Sequence, residues 1–205
     1  MNACTPPHKT TNTTINNARP FDVAQHITIG FSTTNHFVSK AIRWVTHSLC
    51  SHAWFCYNEQ VVNTNKIIRK VAQAEWFGYE TRPRWRWDKQ QILIAEFELI
   101  GPDASNAIHT VLNKYLGSKY DYRAAMFTGL WHLSNRLFKS NFKNPSKLMC
   151  SEGVIRMLNH ANYQIGRHLN PEITSPQRLM QHCFQWPNEL KLIYALPQVL
   201  KKYRV

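Results

Sequence analysis

The chain has 205 residues, enough for one domain with a substantial buried core. Its apolar content of 43% excludes wholesale disorder, and 25 basic against 12 acidic residues give a formal net charge of +13. That imbalance favours anionic partners such as nucleic acid, anionic lipid or an acidic polymer, the alternative being only a soluble basic surface.

Residues 1–20 are rich in Asn, Thr and Pro and hold almost no large apolar side chain, so they are predicted to be a flexible tail ahead of a domain over residues 21–205. A first strand is expected at residues 25–31. A short helix over residues 39–46 follows from the spacing of Val38, Ile42 and Val45. Residues 51–57 are apolar on both faces, the pattern of a covered central strand. Residues 67–76 and 91–99 are two more strand candidates. Over residues 102–116, Ala104, Ala107, Ile108, Val111, Leu112 and Tyr115 keep helical spacing, and Gly117 is placed to stop that helix. Asp121 is a candidate cap for a helix carrying Met126, Phe127, Leu130, Trp131 and Leu137. A third helix is predicted over residues 150–159. Ser175-Pro176 opens a fourth, which runs to about Cys183, and residues 190–196 form a returning strand. Strands first, then helices, then one more strand give an α+β fold with a mainly antiparallel sheet.

The five cysteines are Cys4, Cys50, Cys56, Cys150 and Cys183. An odd number without a CxxC pair argues against a disulfide framework and for a reducing compartment. Residues 1–20 hold no apolar core of a signal peptide. The longest apolar run, residues 92–100, is interrupted by Glu96 and Glu98 and is too short to span a bilayer. A cytoplasmic protein is the expectation.

Two short segments carry the chemistry. Cys50-Ser51-His52-Ala53-Trp54-Phe55 reads as a strand opening on a histidine. Met149-Cys150-Ser151-Glu152-Gly153-Val154 reads as a helix opening on a cysteine. A thiol at a helix N-terminus lies in the positive end of the helix dipole, beside N–H groups suited to an oxyanion. A histidine on a rigid strand is a suitable base for it. Cys50 and Cys56 share the strand of His52, where parallel side chains are poorly placed for proton exchange, and Cys183 beside Phe184 reads as packing. Cys150 is also readable as a small buried apolar residue, and His52 as a core or surface histidine. Zinc spacing and HExxH are absent, so neither metal nor cofactor is expected.

The order Gly30-Phe31-Ser32, Ser39-Lys40-Ala41-Ile42-Arg43-Trp44, Ser51-His52, Gln73-Ala74 with Gly78, Gly117-Ser118-Lys119-Tyr120-Asp121-Tyr122, Cys150-Ser151-Glu152 and Thr174-Ser175-Pro176 resembles the circularly permuted papain-like group. These are the YiiX/YebB-like relatives of the NlpC-type peptidases and of lecithin:retinol acyltransferase. The resemblance covers residues 25–183. It implies a permuted papain-type fold, with Cys150 as nucleophile, His52 as base and a third polar residue orienting the imidazole. In the family that residue is commonly Glu, or His in the acyltransferase branch; alignment on Ala74 and Gly78 puts Gln73 there, with Glu75 as the rival. An amide can fix the ring but cannot stabilise an imidazolium as a charge would. Tyr120, Tyr122 and Ser151 are implied as substrate-binding, with core packing the alternative for the tyrosines.

The implied activity is a cysteine hydrolase or acyltransferase cleaving an amide or ester in a peptide, isopeptide or lipid amide. The contrasting reading is a catalytically weak or inactive binding module whose basic surface engages nucleic acid or a partner protein. Arg82-Pro83-Arg84-Trp85-Arg86-Trp87 alternates cations with aromatics and is a candidate contact for nucleobases or phosphates, or else a strand or loop whose tryptophans pack. Lys139, Lys143 and Lys147 precede the cysteine helix and are candidates to draw in an anionic group.

Overall fold

A computed structural model of the chain describes residues 26–61, 64, 66–75, 77–120 and 147–203. The expected tail, the Asp121 helix, Tyr122, Lys139 and Lys143 lie outside the described residues.

The chain is α+β, as its order of elements implied. β1 (Thr28–Thr33), β2 (His52–Gln60), β3 (Ile67–Glu75), β4 (Gly78–Pro83), β5 (Ile92–Leu99) and β8 (Leu190–Ala195) form one antiparallel sheet. Its strand order is β4-β3-β2-β1-β5-β8. The strands β6 (Lys119–Tyr120) and β7 (Lys147–Leu148) form a separate parallel pair.

Strand β1 begins and ends later than residues 25–31, because pairing to both β2 and β5 carries it on to Thr33. It is buried along its whole length, since it sits mid-sheet with both faces covered. The larger departure lies after β3. Where sequence reading saw one strand over residues 67–76, the chain turns at Phe77 and Gly78 and returns as β4, followed by the one-turn helix α2 (Arg84–Trp87). Gly78 has φ +133°, and a Cβ there would come 2.4 Å from the Ser118 carbonyl oxygen, so only glycine fits this turn. The same carbonyl accepts the Tyr79 N–H, and Tyr79 in turn accepts the Gly117 N–H, which moors the segment after α3 (Ser105–Tyr115) to the start of β4.

Helix α1 (Phe37–Thr46) links β1 to β2 and ends on His47, whose left-handed backbone (φ 47°) turns its N–H onto the Arg43 and Trp44 carbonyls. Helix α3, helix α4 (Cys150–His160) and helix α6 (Pro176–Gln185) cover one face of the sheet. The one-turn helix α5 (Gln164–Arg167) follows α4, and α7 (Pro197–Tyr203) follows β8. As expected, Ser175 caps α6 by accepting the Arg178 N–H, with Pro176 at the first helical position.

Strand alternation splits the core in two. Ala53, Phe55 and Tyr57 of β2 pack with Ile108, Val154, Ile155 and Leu158 on the helical side. Trp54 and Cys56 pack with Val71 and Trp87 on the other side, under α2. Gly30 is what admits Trp54 there, because a Cβ at residue 30 would overlap its ring at 1.9 Å.

Candidate active site

The cysteine helix begins where its sequence put it. Met149 is the N-cap of α4, Cys150 is the first helical residue, and the Glu152 carboxylate reaches back to accept the Met149 N–H at 3.3 Å. Arg156 holds Glu152 from the next turn at 2.6 Å. Burial still pushes the Glu152 carboxyl up, against the pull of Arg156. The Cys150 thiol is 4% exposed and donates to the carbonyl oxygen of Ser51 at 3.9 Å. The loop that carries this carbonyl is held at several points. Ser51 N–H donates to the Ser32 carbonyl, Ser51 and Thr33 share a hydroxyl hydrogen bond of 3.1 Å, and Gln177 of α6 accepts the Leu49 N–H at 2.8 Å. Residues 32, 33, 49, 51 and 177 thus fix the strand end beside the thiol. None was singled out as a site residue, although Ser32 and Ser51 stand in the motifs that carry the resemblance; Thr33, Leu49 and Gln177 carry no such signal.

His52 opens β2, directly after the carbonyl that Cys150 meets. The structure therefore brings the two segments together at one end of the sheet. The side chains are arranged differently from a preformed pair. His52 pairs with Ser32 and, by strand alternation, shares the face of Trp54 rather than the helical face of Ala53. It keeps some surface, but its Nδ1 is enclosed and has no hydrogen-bond partner among the described residues. Burial pulls the imidazole down to about pKa 4, so it is neutral at pH 7.

A stability test follows from that depression. Below pH 6.5 the unfolded chain takes up a proton at this histidine, whereas the folded chain does so only near pH 4. The contribution is therefore complete above pH 6.5, falls as pH drops through this window, and levels off below it. His52→Gln is expected to flatten the slope by up to about 3 kcal/mol between pH 7 and pH 4, read from denaturant midpoints.

The third member needs a correction. Gln73 lies opposite Trp54, not His52. Its carbonyl accepts the Trp87 Nε1–H at 2.8 Å and its amide donates to Glu75 at 2.6 Å, so both ends are engaged away from the imidazole. Continuing the β2–β3 register by two residues sets Glu75 level with His52 on the same face. Burial raises the Glu75 carboxyl, with Arg82 opposing. Gln91 also donates to it at 3.2 Å and accepts from Ser32 at 3.1 Å, so a polar chain Ser32–Gln91–Glu75–Gln73 borders the position of His52.

Ser151 also departs from its expected role. It is 1% exposed, and its hydroxyl donates to the Thr174 carbonyl at 2.6 Å, tying α4 to the loop before α6. Tyr120 lies in β6, level with Leu148 of β7, so Lys119-Tyr120 runs beside the strand that leads into Cys150. The Arg82–Trp87 stretch proves to be architecture for the most part. Arg82 pairs with Glu75 and Glu80, Arg84 pairs with Glu96 and Asp88, and Trp87 is buried. Within the stretch Trp85 and Arg86 are exposed, with Arg86 and the neighbouring Lys89 against the Trp85 ring.

Burial disfavours the thiolate at Cys50, Cys56 and Cys183. It pushes Cys50 up to about 12, outweighing its Ser48 contact, and raises Cys56 and Cys183 as well. None of the four described cysteines is in a disulfide. Among the described residues, no three His, Cys, Asp or Glu side chains cluster as a metal site, and no helix is long and apolar enough to cross a membrane. Models of known protein families give no match to this chain, and no curated protein matches it significantly.

Proposed function

We infer that the chain is a thiol hydrolase or acyltransferase of the circularly permuted papain-like, YiiX/YebB-like kind, acting on an amide or ester through Cys150 and His52. The observation that carries this reading is the meeting of the Cys150 thiol with the carbonyl of Ser51, 99 positions away and directly before the strand-start histidine. In the proposed reaction, neutral His52 takes the Cys150 proton as the sulfur attacks the substrate carbonyl. First-turn N–H groups of α4, which have no acceptor within the helix, hold the developing oxyanion. The imidazolium then protonates the leaving group, and water or a second acceptor resolves the thioester.

The reaction requires the His52 ring to turn toward the sulfur. His52 is the first residue of β2, and its ring lies on the face of Trp54. Glu75, level with that ring, is the better partner for an imidazolium than Gln73 because it brings a charge.

Acylation by an activated ester, followed by intact mass and peptide mapping, tests the proposal. Cys150 should carry the acyl group. Glu75→Gln is expected to slow turnover by about 10- to 100-fold. Gln73→Ala should leave turnover within a few-fold and lower stability by about 1–3 kcal/mol, through the unpaired Trp87 N–H. The rival reading, a papain-like binding module without turnover, draws on the same thiol contact, because in this arrangement Cys150 is already committed to a main-chain oxygen. Absence of any acyl adduct on Cys150 would favour it.

A further inference from the structure

The end of the sheet that carries Cys150 and His52 also carries the largest exposed apolar side chains. Thr33, His52, Glu75, Gly78 and Ile92 all lie at this end, since β1 finishes where β2, β4 and β5 start and where β3 turns into β4. Around it stand Phe37 at 83% exposure and Trp44 at 79%, both on α1, and Phe77 at 88% in the β3–β4 turn. Leu116, at 57%, is brought to the same end by the Gly117–Tyr79 and Tyr79–Ser118 hydrogen bonds.

Burial does not explain these residues. Phe37 and Trp44 stand seven positions apart on one side of α1, and Phe77 and Leu116 project from two further segments. Cations flank Phe37, Trp44 and Leu116, whereas Phe77 stands between Glu75 and Glu80, both paired with Arg82. Lys40 is exposed on α1 between Phe37 and Trp44, Arg43 is half-buried beside Trp44, and Lys114 and Lys119 are exposed on either side of Leu116. No carboxylate occurs between Asp22 and Glu59, a stretch that includes all of α1, and the whole chain carries +13.

We propose that this end of the sheet is a docking surface for an anionic lipid bilayer. Exposed aromatic side chains beside lysines and arginines match the interface of such a bilayer. There the rings enter the headgroup region and the cations meet lipid phosphates. A nucleic-acid surface calls instead for cations in a track with bases stacked on the rings, which the spread of these residues over three segments does not supply. The attachment is peripheral, consistent with the absence of a spanning helix among the described residues. The surface encircles the candidate active site, but the docking stands without the proposed chemistry.

Co-sedimentation of the full chain with vesicles tests it. The protein is expected to pellet with phosphatidylcholine vesicles containing phosphatidylglycerol, to pellet much less with phosphatidylcholine alone, and to release as salt rises. Phe37→Ser combined with Trp44→Ser should weaken binding by at least about tenfold. The melting temperature should hold, because both side chains are exposed. Trp85→Ser, an exposed aromatic on α2, should bind as the parent does, and so should Cys150→Ala, which separates docking from catalysis. Equal retention of the parent and the α1 double variant would overturn the proposal. So would failure to bind anionic vesicles together with tight binding to a single-stranded RNA oligonucleotide.

Discussion

Arg84→Ala is expected to cost about 3–5 kcal/mol, the largest stability loss of any single exchange considered for this chain. The guanidinium donates to both carboxylate oxygens of Glu96, at 2.8 and 3.0 Å, and to Asp88 at 2.7 Å. It also lies 4.7 Å from the Trp54 ring centre and 5.0 Å from that of Trp87. Burial opposes its charge, yet the hydrogen bonds to Glu96 and Asp88 raise its pKa overall. Burial likewise opposes the Glu96 charge, and the contacts from Arg84 and Thr28 hold that carboxyl below its ordinary value. Removing the guanidinium leaves a carboxylate that is 6% exposed with Thr28 and the more distant Arg69 for company. It also strips the cation from over two indoles that pack on each other. Glu96→Gln keeps the Thr28 contact and the packing and should cost less. Urea denaturation of both variants checks the order, and a loss below about 1 kcal/mol for Arg84→Ala would show that the pair is dispensable.

Cys150→Ala is expected to abolish acyl transfer, by at least about a thousandfold, while leaving the fold intact. The sulfur touches the Ser51 carbonyl within the hydrophobic core, and the exchange removes only that one atom, so the alanine should lower stability by about 1 kcal/mol. Cys150→Ser should be almost as inactive, since a hydroxyl beside a neutral imidazole is a far weaker nucleophile than a thiol. Cys50→Ala and Cys183→Ala are the controls. Burial raises both thiols, and both variants should acylate at Cys150 like the parent. Substantial turnover in Cys150→Ala would move the chemistry elsewhere.

The helical half of the fold was legible because its signals are local. α3 shows its buried stripe in residues 107, 108, 111, 112 and 115, α4 starts at its cysteine, and α6 starts on a Ser-Pro cap that the structure reproduces. The sheet was less legible because register is not local. Whether residue 73 or 75 lies level with His52 depends on the β2–β3 pairing, which no turn motif in residues 61–66 specifies. Family alignment pointed to Gln73, and the register points to Glu75. The Arg-Trp alternation left a binding face and a packed segment both open, for a related reason. On an isolated strand such a pattern resembles a binding face, but here the chain turns into α2 and lays Arg84 and Trp87 against Trp54. The partner that makes this stable, Glu96, is 12 residues away and had been read only as a break in an apolar run.

The most direct measurement is the rate of iodoacetamide modification at each cysteine of the native protein, resolved by peptide mass mapping between pH 5 and pH 9. The account predicts that Cys150 reacts well ahead of Cys50, Cys56 and Cys183, and that His52→Ala slows Cys150 alone. Cys150 labelling no faster than the three buried thiols, or only after denaturation, would contradict it.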